Sequence, residues 1–235
     1  MTRCGVAALA ALVLTTGVWA QSALTIETAM SQLGDFDYNV RTAASGFIRR
    51  LSPDEARPVL AQTVATHEDG YVRYRALVLL VGFGGSEARD TVLGIMEDEN
   101  DRLRAVAYGY FTHEPDPAMV PRLLEALDAE TSEFVRPALI RALASHDGNP
   151  RVRQRLLADI DRGVDFFRGA VIEALGERRA AYALEPLMAV ASAPGPLQDD
   201  ALLALTRIGD ARALNAVAAL QGADSELEPM VSAAA

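Results

Sequence analysis

Acid–base or metal chemistry in this chain would have to be built from three histidines, His67, His113 and His146, and from its 32 carboxylates. His113 and His146 fall at matching turns of adjacent sequence repeats, with Glu114 and Asp116 near one and Asp147 beside the other. Stacked elements would bring such positions to about 10 Å of each other, within reach of a shared metal. A closed site needs three or four converging ligands, so both histidines are expected to be exposed turn residues, as is His67 in the run His67-Glu68-Asp69. Nucleophilic chemistry has fewer materials still. The only cysteine is Cys4, and the glycine-rich stretch Gly82-Phe83-Gly84-Gly85 lies at a helix end without the strand a phosphate-binding turn requires. The expectation is a non-catalytic protein with no metal and no cofactor.

The elements that must position these residues follow from a count. The dipeptides Val40-Arg41, Val72-Arg73, Leu103-Arg104, Val135-Arg136, Phe167-Arg168 and Leu197-Gln198 recur at intervals of 32, 31, 32, 32 and 30 residues, the period of a solenoid. Seven residues beyond the Arg come Ile48, Leu80, Phe111, Leu143, Leu175 and Leu205, and four beyond it Ser45, Leu77, Tyr108, Ile140, Ile172 and Leu202. With Ala44, Ala76, Ala107 and Ala201 at plus three, these draw one face of a helix, here termed the marker helix. A second apolar pair follows some nineteen residues after each dipeptide, from Val59-Leu60 to Val217-Ala218, so each unit holds a second helix. Ser52-Pro53-Asp54-Glu55 is a capping box, and Asp116-Pro117 and Asn149-Pro150 pair an N-cap with a proline at the first helical position. Tyr71, Phe134 and Phe166 recur two residues before the marker arginine and are expected to pack between units.

The first twenty residues differ in kind. Arg3, the apolar run Val6–Val18 and the small residues of Val18-Trp19-Ala20 read as a secretory signal cleaved after Ala20. The run is too short for a comfortable bilayer span of about 20 residues, so no stable membrane insertion is expected after cleavage. The expected destination is therefore periplasmic or secreted. The mature chain would carry 21 basic and 32 acidic residues, a formal charge of −11, and no cysteine. That balance argues against nucleic acid, whose phosphates need clustered basic residues. The expected organisation is a signal over 1–20, an N-terminal capping helix within 21–36, a repeat array over 37–222 and a C-terminal tail or cap over 223–235.

An acidic residue, Val-Arg, an Ala-rich apolar helix, a turn of Gly-Asp-Pro type and then Ala-Met-Val-Pro-Arg-Leu-Leu-Glu-Ala-Leu resembles the HEAT-repeat family, and more narrowly the short repeats of phycobilisome (bilin) lyases. The resemblance covers about 37 to 222. It implies an all-α superhelical stack, an α-solenoid of about six helical hairpins. It further implies a ladder in which Arg41, Arg73, Arg104, Arg136 and Arg168 pair with Asp37, Asp69, Asp101, Glu133 and Asp165. Gln198 breaks that pattern, so the last interface is expected to be looser. The resemblance also implies that the second helices line the concave face, where Arg89, Arg122, Arg153 and Arg155 would bind an acidic segment of a protein or peptide. The alternative is that they pair with local carboxylates such as Asp90, Glu125 or Asp159. Two functions remain: an interaction scaffold working through its concave face, or a lyase-like or chaperone activity toward a bilin or other tetrapyrrole.

Overall fold

A computed structural model describes residues 24–213. The segment read as a signal, the last second helix with its Val217-Ala218 pair, and the tail lie outside the described residues. Twelve α-helices follow one another without a strand among the described residues. The marker helices are α2 (Tyr38–Ile48), α4 (Gly70–Phe83), α6 (Asp101–His113), α8 (Arg136–Ala144), α10 (Asp165–Glu177) and α12 (Gln198–Ile208). Between them run α1 (Ile26–Gln32), α3 (Pro53–Thr66), α5 (Ser86–Gly94), α7 (Val120–Ala129), α9 (Pro150–Asp159) and α11 (Leu184–Ser192).

Caps start many of these helices where the sequence places them. Ser52 and Glu55 close a full capping box on α3, and Asp37, Asp69, Asn100 and Asn149 each accept a backbone N–H from their helix's first turn. Between α4 and α5 the chain passes through positive φ at Gly84 (63°) and Gly85 (89°), and the Arg57 guanidinium fills the space a side chain on Gly85 would need. Arg57 there donates to the Phe83 carbonyl at 3.0 Å.

Every member of the two marker-helix columns is buried, from Ile48 and Ser45 to Leu205 and Leu202. Leu60, Val92, Leu123, Leu156 and Leu187 supply the buried contacts of the second helices. Each such side chain removes roughly 1.5–3 kcal/mol worth of apolar surface from water. The core is therefore a row of neighbour contacts along the stack.

Two features depart from the sequence reading. α1 packs on α2 as α3 packs on α4 and α11 on α12, so the segment expected to be a separate cap is the first half of the first hairpin. Four second helices, α1, α3, α7 and α11, pack chiefly on the marker helix that follows, while α5 and α9 lie about equally against the marker helices on either side. From α4 on, the marker helices also stack closely, α4 on α6, α6 on α8, α8 on α10 and α10 on α12, whereas in the other row only α3 and α5 do so. In a curved stack the closer row lies inside. The exposed side of the marker row, the inner side of any curvature toward the closer row, is here termed the inward face; the second helices expected there form the other row. Small residues permit the approach. Gly176 lies in the last turn of α10, and a Cβ there would lie 2.7 Å from the Ala204 Cα of α12.

Candidate functional site

The marker arginines do tie the units together, but mostly to other acceptors. Asp37 and Asp69 spend an oxygen on the N–H groups of Asn39 and Tyr71, each at 2.7 Å, and form no ion pair with Arg41 or Arg73. Asp101 likewise does not pair with Arg104; it accepts from the Ser132 hydroxyl at 3.3 Å. Arg41 donates to the Asp35 and Phe36 carbonyls, Arg73 to that of Val64, Arg104 to those of Asp98 and Glu99, and Arg168 to that of Ile160. These carbonyls lie at or just past the end of the preceding helix, where α-helices leave acceptors unsatisfied. Arg73 and Arg104 then reach forward one unit, to Asp98 and, with both carboxylate oxygens at 2.8 Å, to Glu130. Burial would raise the Glu130 acid, but the Arg104 and Ser132 hydrogen bonds hold it below the usual range. Only Arg136 and Arg168 sit against the expected Glu133 (3.1 Å) and Asp165 (2.9 Å), and Arg136 also stacks 3.8 Å over the Phe167 ring. Gln198 donates to the Ala191 carbonyl at 2.8 Å, so the last unit keeps the tie that its missing arginine was expected to loosen.

Sequence reasoning missed a second column. Asp35, His67, Asp98 and Glu130 stand six residues before the marker arginine, and each accepts the backbone N–H two residues on. The constant offset was the signal. His67 is thus a turn acceptor through Nδ1, at 3.0 Å from the Asp69 nitrogen.

The four arginines proposed to meet a partner are all engaged within the chain, and they ride on the outer row. Arg89 of α5 pairs with Asp116 of the next unit. Arg122 of α7 meets Glu97 at 3.2 Å, Arg153 of α9 donates to the Asp147 carbonyl and lies 4.9 Å over the Tyr182 ring, and Arg155 holds both Asp128 (2.6 Å) and Asp159 (2.7 Å). Asp159 is the one local carboxylate correctly anticipated as a partner; Asp90 and Glu125 are not used. No acidic ligand is needed to explain these guanidinium groups.

His146 is buried rather than exposed, its Nε2 without a hydrogen-bond partner. Burial pushes its pKa down, with Asp116 opposing and Arg178 reinforcing the shift. Among the described residues no group of three or more His, Cys, Asp or Glu side chains is arranged to hold a metal.

The inward face offers a different surface. A groove of about 490 Å³ crosses α8, α10 and α12, and its apolar lining includes Pro137, Ala170 and Leu203. Phe134 (60% exposed) and Phe166 (65%) form its lip, so neither packs between units as expected; Leu203 is 43% exposed. Gly169 lets the Asp200 carboxylate lie close over α10, 3.1 Å from where a side chain would begin. Contiguous exposed apolar side chains of this kind mark interaction sites.

Comparison with known proteins accords with this architecture. The profile of the family described as HEAT repeats matches residues 25–110 and 58–144, together about half of the chain. YibA of Escherichia coli superposes with a TM-score of 0.60 at 16% identity, over 88% of this chain and 79% of that one. The CpcE–CpcF complex of phycocyanin lyase from Nostoc superposes with a TM-score of 0.53 at 19% identity, over 94% of this chain and 97% of that one. No curated protein matches the chain.

Proposed function

The chain belongs to the HEAT-repeat family, and from that premise we propose that it is an exported, non-catalytic scaffold that holds a segment of another protein on its inward face. The observation that carries the reading is the groove over α8, α10 and α12, where Phe134, Phe166 and Leu203 stay exposed although the columns beside them are fully buried. A rigid row of stacked helices presents such a surface at little conformational cost to itself. Export rests on Arg3, the run Val6–Val18 and the small residues before Gln21. Among the described residues no helix is long and apolar enough to cross a membrane.

One experiment tests both halves. The protein is produced in its own cells with a photo-crosslinking amino acid at Phe166, or at Asp90 on the outer row, and recovered from the envelope fraction. The expected result is a mature N-terminus at Gln21 and a discrete protein adduct from position 166 that position 90 does not give. Equal adducts from both positions would overturn the groove, and an N-terminus at Met1 would overturn export. A visible absorption band carried through purification would replace the scaffold reading with a pigment-handling one.

A further inference from the structure

The charges around the groove bear on the chemistry of its occupant. Five ionisable side chains line it: Arg141 on α8, Asp165 and Glu173 on α10, and Asp200 and Arg207 on α12. Asp165 is taken by Arg168 at 2.9 Å. Glu173 and Asp200 have no cation within ion-pair distance among the described residues, although most of the carboxylates facing marker arginines are paired. Asp199 adds a third negative charge beside them, and the Asp200 acid is held above the usual range by partial burial and by Asp199 and Glu173. Arg141, at the level of α8 that corresponds to Glu173 on α10, and Arg207 form no ion pair with these groups, and the charges that act on Asp200 are the acidic Asp199 and Glu173. The chain as a whole carries a formal charge of −10.

Resting on the groove reading above, we infer that the occupant is an amphipathic segment with basic side chains: its apolar residues seat against Phe134, Phe166 and Leu203, and a Lys or Arg enters between Glu173 and Asp200. Apolar anchors supply contact area and the charge pair sets register and orientation. Arg141 and Arg207, which line the same groove, repel a cation placed against them and so favour one placement of the segment.

The test uses two synthetic fourteen-residue amphipathic peptides of identical pattern, one of Leu and Lys, the other of Leu and Glu, titrated into the full chain and followed by fluorescence anisotropy. The Leu/Lys peptide should bind saturably, and the Leu/Glu peptide at least tenfold more weakly, about 1.4 kcal/mol. E173Q with D200N should weaken the Leu/Lys peptide about tenfold while leaving helical circular dichroism unchanged. E68Q with D90N, which removes the same charge elsewhere, should not. If that control weakened binding equally, the attraction would belong to net charge and the inference would fall. Loss of binding in F134S with F166S alongside unchanged binding in E173Q with D200N would also overturn it, while leaving the groove intact. Full binding by F134S with F166S would instead overturn the groove reading itself.

Discussion

Arg155 holds two carboxylates of very different exposure, and that difference decides what its loss would do. Asp128 is largely in water, whereas the Asp159 side chain is only 4% exposed and has no other cation within ion-pair distance. Replacing Arg155 by Met leaves Asp159 buried and unpaired, which costs about 3–5 kcal/mol when a buried pair is broken this way. Arg122 faces a carboxylate that is 86% exposed, and Arg122→Ala should cost within about 1 kcal/mol. Urea unfolding of the two variants checks the contrast; equal losses would mean that Asp159 finds another partner. His146 belongs to the same scale. Its pKa is lowered from 6.5 in the folded chain, so the unfolded chain takes up the proton first as pH falls. Its contribution to stability is therefore complete above about pH 6.5 and is lost as pH drops through that value toward the lower folded pKa. His146→Gln should flatten the dependence of the urea midpoint on pH between 7 and 5, and an unchanged slope would assign it to other groups. The arginine ties were only partly legible from sequence. A guanidinium reaches carbonyls and carboxylates several residues away, while Asp37 and Asp69, the nearest acids, were already committed to capping their own helices.

At the scale of the helix, the apolar columns were readable because burial repeats every 3.6 residues and every unit. Ile48, Leu80, Phe111, Leu143, Leu175 and Leu205 are buried in the structure. The grouping of helices into hairpins was not readable. A period sets the length of a unit and not the point at which it is cut, and both rows carry apolar faces. The inner row was missed for a related reason: curvature depends on the difference in spacing between two rows. That difference arises from close approaches such as Gly176 on Ala204, which a single residue type does not announce. The exposed lip of the groove follows from the same geometry. Phe134 precedes α8 and Phe166 lies in the first turn of α10, ahead of the helix bodies that carry the close inter-helix contacts, so their rings extend into solvent.

At the scale of the whole molecule, the stack holds itself through contacts between successive helices, and damage should spread along it accordingly. Leu143 lies fully buried in α8, which packs on α6 and α10 in its own row and on α7 and α9 in the other. Leu143→Ala should cost about 2–5 kcal/mol, as buried leucine truncations do. In a domain with one central core that loss would be felt nearly everywhere. Here α3 and α4 make their closest contacts with each other and with α5 and α6, so they are two steps removed from the lesion, and nearest-neighbour coupling predicts a graded response. Native-state hydrogen exchange of Leu143→Ala should show the largest protection losses in α6 to α10 and smaller ones in α3 and α4. The groove crosses α8, so peptide binding should fall in the same variant before the N-terminal hairpins open. A uniform loss of protection across all described helices would mean that the array unfolds as one cooperative body. In that case the independence of its ends from its middle would have to be given up.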